Sequence, residues 1–164
     1  MSGLDRFIRA QAQDHGGIMT ALEELAAGQK TSHWIWHVAP QLRGLSSSSR
    51  AIEYGIADLH EAMDYLRLEP LRERYLATCL LIREWTRTDE FAPQQGRRPL
   101  CDVMGGDLDA LKLVSSLTLF EAAAARVGDV EVESAAHALL LTAEAQGLSR
   151  CERTLASVRQ GEPR

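Results

Sequence analysis

The sequence predicts an all-α protein, a single compact domain of about seven to eight helices with a buried central helix near residues 107–126. Three observations carry this expectation. Apolar side chains recur at three- and four-residue steps, as in Leu71, Tyr75, Thr78, Ile82 and Trp85 along one helical face. Leu108, Leu111, Leu113, Val114, Leu117, Leu119 and Phe120 surround one helix on nearly all sides, and a helix apolar all round is a buried one. No run alternates apolar and polar residues for long, and no Asn-Gly or Asp-Gly turn is present to close a hairpin. A length of 164 residues suits one domain with a real core. Residues 1–160 are assigned to it, and 161–164 to a frayed tail.

Leu4, Phe7 and Ile8 predict a first helix over Leu4–Gln13, broken by Gly16-Gly17. Ile18, Met19, Leu22 and Leu25 extend a stripe to Ala27, and Gly28 stops it. A helix through Ser32–Val38 ends before Pro40, which lacks an amide hydrogen and disfavours helix in the residue before it; an extended segment is the alternative. Gly44 and Ser46–Ser49 form a loop, followed by a helical turn over Ala51–Gly55. Asp58 and Glu61 make a capping box for a helix reaching Leu68, and Pro70 suits the first turn of the next. Thr88–Gly106, with Pro93, Gly96, Pro99 and Gly105-Gly106, reads as a mobile surface loop. Asp107 or Asp109 caps the central helix, and Gly128 ends it. Val132–Gln146 is helical up to Gly147, and Ser149 with Glu152 forms a second capping box for a helix to Arg159.

A net charge of −5 without a basic stripe argues against nucleic acid and anionic membrane as partners. No stretch approaches the roughly 20 apolar residues that span a bilayer. Met-Ser-Gly-Leu-Asp-Arg at the start carries no apolar run behind a basic patch, so no signal peptide is expected. Cys79, Cys101 and Cys151 are odd in number and far apart, with no Cys-x-x-Cys pair. Reduced thiols and a cytoplasmic location follow as the default.

The segment Lys30–Leu45, Lys-Thr-Ser-His-Trp-Ile-Trp-His-Val-Ala-Pro-Gln-Leu-Arg-Gly-Leu, holds two of the three tryptophans and two of the five histidines. Trp34 and Trp36 point to different faces whether the segment is helix or strand. With Gln41 they offer an aromatic wall and one amide, which suits a planar ligand such as a nucleobase. Lys30, His33 and Lys112 are further candidate ligand contacts. His33 is the catalytic candidate if chemistry occurs, because histidine ordinarily titrates nearest neutrality. His33 and His37 share the spacing of metal-binding pairs, but no third ligand is identifiable and the residues between them are Trp34, Ile35 and Trp36, without the Glu of a zinc protease; no metal and no cofactor is assigned. Lys112, Ser115, Ser116 and Thr118 interrupt the apolar central helix and need partners; Asp109, three residues before Lys112, is within helical reach. Glu23-Glu24 reads as helix surface.

Three pieces, Leu4–Gln11, Leu25–Leu45 and Leu111–Phe120, together resemble the DUF1810 family. These are small bacterial and fungal proteins of unknown function, some of them labelled calpastatin. Tyr54-Gly-Ile and Glu61–Leu66 also fit the family's pattern. The resemblance implies a mainly helical fold and supplies no reaction. The calpastatin label belongs to long disordered inhibitors, whereas this chain reads as packed. The family usually has Phe where this chain has His37 and Ala39, so a two-histidine clamp would be peculiar to this protein.

The function expected from these residues is binding of a small nucleotide-like or ADP-ribose-like metabolite beside Trp34 and Trp36. The alternative is a protein–protein interaction or homodimerisation module without catalytic activity, formed by the Ala-rich helices Glu121–Arg126 and Val132–Gln146.

Overall fold

Ten helices form among the described residues, 3–88 and 97–161, of the computed structural model. They are α1 (Asp5–Gln11), α2 (Ile18–Ala26), α3 (Ile35–Val38), α4 (Ser49–Tyr54), α5 (Leu59–Arg67), α6 (Glu69–Thr86), α7 (Leu100–Val103), α8 (Asp107–Val127), α9 (Val130–Ala145) and α10 (Glu152–Gln160). The number exceeds the expected one because α7 is a single turn of four residues, too short to show a period, and α3, also a single turn, lies where helix and extended chain were both open. α7 lies inside the segment read as one long loop. Residues 89–96 of that loop, and 162–164 of the expected frayed tail, lie outside the described residues.

α8 is the central helix. It packs on α9 and α5, and α10 and α7 close over it, while α6 bridges α9 to α2. Leu113, Val114, Leu117, Leu119 and Phe120 are buried. The all-round apolar reading fails at the first two turns, where Leu108 is 73% and Leu111 47% exposed. Two leucines left in water at a helix start are unusual when the same helix is otherwise sealed.

Phe7, Tyr65, Phe120 and Tyr75 interlock above α8, with ring centroids 5.3, 5.0 and 4.3 Å apart in turn. Each such pair adds about 0.5–1.5 kcal/mol beyond its buried area. Ala123 and Ala124 of α8 and Ala135, Ala136 and Ala143 of α9 are buried, so the small side chains let these two helices approach closely within the chain.

The helix ends show where local chemistry decides and where it is overruled. Asp58 accepts from Glu61 N (2.9 Å), as a cap should. The returning Glu61 carboxylate meets Ala57 N (2.7 Å) and Arg6 Nη1 (2.8 Å) rather than the amide of Asp58. Neither Asp107 nor Asp109 caps α8, which starts after Gly106, because the Asp109 carboxylate is drawn to two lysines. The second capping box does not form: α10 begins at Glu152 with Cys151 before it. Two caps stand where none was expected, Ser48 on α4 and Asp129 on α9, the latter held by Arg72 at 2.7 and 2.9 Å. Gly128 ends α8 in the left-handed region (φ 75°), as expected of a C-terminal glycine.

The tryptophan segment is mixed. Only Ile35–Val38 is helical. Beyond Pro40 the chain is extended and meets Ile56 in an isolated parallel bridge, through Ile56 N→Gln41 O (2.9 Å) and Arg43 N→Ile56 O (2.7 Å). No described helix is long and apolar enough to cross a membrane.

Candidate functional site

Trp34 and Trp36 part ways. Trp34 is completely buried, and its Nε1 donates to Glu24 Oε2 (2.7 Å). The same carboxylate accepts from Thr31 N (2.8 Å), Thr31 Oγ1 (2.8 Å), Ser32 N (3.0 Å) and the Ser32 hydroxyl. Burial pushes the Glu24 carboxyl upward, but these donors outweigh it and hold it at about 2. Glu24 is therefore no idle helix surface: it ties the last turn of α2 to the start of the tryptophan segment. Trp34 cannot serve as a ligand wall, because nothing reaches its face from solvent. Trp36 is only partly buried and remains available.

Lys30 lies beneath this segment. Gly105 makes its placement possible: at φ 77°, a Cβ there would come within 2.5 Å of Lys30 O. Lys30 N donates to Val103 O (2.8 Å), and its buried ammonium bonds the Ser32 carbonyl and Asp109 Oδ2 (2.5 Å). Asp109 Oδ1 takes Lys112 Nζ at 3.0 Å, the pairing expected from their spacing. Each ammonium also stands over one indole, Lys30 at 5.1 Å from the Trp34 ring and Lys112 at 4.2 Å from the Trp36 ring. Burial alone would raise the Asp109 carboxyl; the hydrogen bonds and charges of Lys30 and Lys112 overcome it and lower it. Two cations share the Asp109 carboxylate here, and Asp107 lines the same cleft as a second carboxylate.

Two clefts flank Lys112. One, of about 420 Å³, is lined by His33, Gly106, Asp107, Asp109 and Lys112. The other, of about 350 Å³, is lined by Gln41, Leu45, Ser46, Lys112, Ser115 and Arg153. Leu108 borders both, so Leu108 and Lys112, one turn apart on α8, form the ridge between them. His33 and Gln41 thus reach different clefts, with Lys112 common to both. Lys30 lies below, joined to the ridge through Asp109.

His33 and His37 do not share surroundings. His33 is exposed, whereas His37 is buried with Nε2 2.7 Å from Gly16 O and its ring 5.4 Å from Tyr54. Burial lowers the His37 pKa, only partly offset by the Gly16 carbonyl. The remaining polar groups of α8 find partners: Ser116 Oγ pairs with Tyr75 OH (3.0 Å), and Thr118 donates to Val114 O (2.7 Å) while accepting from Cys151 N (3.3 Å).

The family model for proteins of unknown function DUF1810 matches residues 1–139. A comparison with curated proteins finds no match. Among solved structures, the conserved hypothetical protein Rv1873 from Mycobacterium tuberculosis is similar, with 34% identity over 93% of this chain and 94% of that one and a TM-score of 0.72. The chain belongs to the DUF1810 family.

Proposed function

We propose that this DUF1810 protein binds a small anionic metabolite of the nucleotide or ADP-ribose kind, laid across the Lys112–Leu108 ridge. One observation carries the reading: Lys112 is shared by two adjoining clefts and is held over a partly exposed indole by Asp109. Lys112 offers a phosphate a cation from either cleft, and the residues that open α8, Gly106 to Asp109, line one of them. Leu108 and Leu111 give an apolar seat for a base, and Gln41 an amide to read its edge. Trp34 leaves the contact set and acts by holding the segment. His33, on the cleft rim, is the residue placed to exchange a proton if the bound molecule reacts.

The homodimer alternative relied on the alanines of 121–126 and 132–146, most of which lie in the α8–α9 seam; light scattering on the purified chain is expected to read a monomer.

The test is a thermal-shift and calorimetric series with ADP, ADP-ribose and inorganic pyrophosphate. Ligand at tenfold above Kd stabilises by about 1.4 kcal/mol. Lys112→Met and Trp36→Leu are expected to abolish the shift while leaving the fold intact. A panel without any stabiliser, or a stabiliser indifferent to both substitutions, overturns the proposal.

A further inference from the structure

Gln41 is 8% exposed, yet its carboxamide meets no hydrogen-bond partner among the described residues. Its backbone carbonyl accepts from Ile56 N (2.9 Å), which pins the residue beside the parallel bridge. Enclosed amides are ordinarily bonded, and one left without a partner is costly. The amide atoms are not sealed, so the small open part of Gln41 includes its polar end. Gln41 lines the cleft of about 350 Å³, and a molecule bound there is what can satisfy its carboxamide.

The other polar groups of this cleft are mostly donors. Arg153, in the first turn of α10, lends one N–H to Gly44 O (3.0 Å) and pairs with no carboxylate among the described residues. Its remaining N–H groups are uncommitted. Lys112 meets Asp109 at 3.0 Å and has further protons to give. Ser115 spends its proton on Leu111 O (3.1 Å), which leaves its oxygen as an acceptor. No carboxylate lines this cleft among the described residues, whereas Asp107 and Asp109 line its neighbour.

We propose that the ligand of this cleft carries a 6-oxopurine, as in guanine or hypoxanthine, and that Arg153 is the residue that selects it. The inference rests on the reading above, in which a nucleotide lies across the ridge with its base on Leu108 and Leu111. A 6-oxopurine presents two acceptors side by side, O6 and N7, and a guanidinium fork matches both at once. The Gln41 amide then donates to the same edge and gains the partner it lacks within the chain. Adenine suits a carboxamide alone, but it places an amine where the oxo group stands. In this cleft that amine is turned toward two cations, donor against donor. Desolvating unmatched donors is what separates the two bases.

The experiment titrates the full chain by calorimetry with IDP, GDP, ADP and inorganic pyrophosphate. The three nucleotides share their ribose and phosphates, so the ratio of their Kd values reports the base edge alone. IDP and GDP are expected to bind about tenfold tighter than ADP, the worth of one bidentate pair. Arg153→Met, at an exposed position, should bring the three to within about twofold of one another. Arg153→Lys keeps the charge without the planar fork and should also lose most of the preference. ADP binding as tightly as IDP overturns the inference, and so does a preference that survives Arg153→Met. A loss in Arg153→Met that falls equally on all three nucleotides marks a phosphate contact and overturns it too. No binding of pyrophosphate or of any nucleotide overturns the ridge reading and this inference with it; binding of all of them with ADP equal to IDP overturns this inference alone.

Discussion

Trp34 and Trp36 are two residues apart and each carries a lysine ammonium over its ring, yet one is sealed and the other is only partly buried. The difference lies in what meets the ring edge. Trp34 finds a carboxylate already supplied with backbone and hydroxyl donors, so its N–H is satisfied inside the protein. Trp36 packs partly against the core, and the Lys112 ammonium stands 4.2 Å from its ring centre. The lesson is that an indole is sealed or left partly open according to its neighbours, not its type.

The largest expected effect sharpens that contrast. Trp34→Ala should cost about 3–5 kcal/mol in urea unfolding, the range for truncating a buried aromatic. Trp36→Ala should cost clearly less, since part of that ring is already wet. Equal costs would erase the distinction.

Next comes the Glu24 clamp. Glu24→Ala leaves the Trp34 N–H without its acceptor and should cost about 1–3 kcal/mol. Because the folded carboxyl is held at about 2, below its ordinary 4.5, the wild type should keep this contribution above pH 4.5 and lose it as pH falls toward 2. Partial exposure of Glu24 will screen and reduce the effect. The Glu24→Ala variant should show a shallower acid loss over that window, read from urea midpoints.

His37 titrates in a different range. Its folded pKa lies below the ordinary 6.5, so stability should be full above that value and decline as pH drops through it. Gly16 O, Tyr54, Arg50 and Glu53 surround the ring. His37→Phe should remove the slope between pH 7 and pH 5, measured by thermal melts.

The smallest effect on stability is expected at Lys112. Lys112→Met breaks one partly exposed ion pair and should change stability by about 1 kcal/mol or less, even though it is expected to abolish the proposed binding at the ridge. A large loss of stability there would mean that Lys112 supports the Trp36 side as firmly as Glu24 supports the Trp34 side.

Much of the fold was legible from periodicity. α8 and α6 follow their apolar stripes, and Gly128 and Pro70 punctuate as their backbone restrictions require. The family resemblance was legible in Lys30–Leu45. The site was only partly legible. Lys112 with Asp109 could be read from a three-residue spacing, because helix geometry makes such neighbours predictable. Glu24 could not be distinguished from its neighbour Glu23, although the run Thr31-Ser32 with Trp34 is a set of donors awaiting an acceptor.

By itself the sequence determined the helical class, the central helix and the residues that puncture its apolar face. Those follow from interactions within a few residues of chain. Tertiary structure decided which indole is sealed and which cleft each polar side chain lines. Those outcomes depend on pairs such as Lys30 with Asp109 and Cys151 with Thr118, whose members are far apart along the chain and are brought together only when the helices pack.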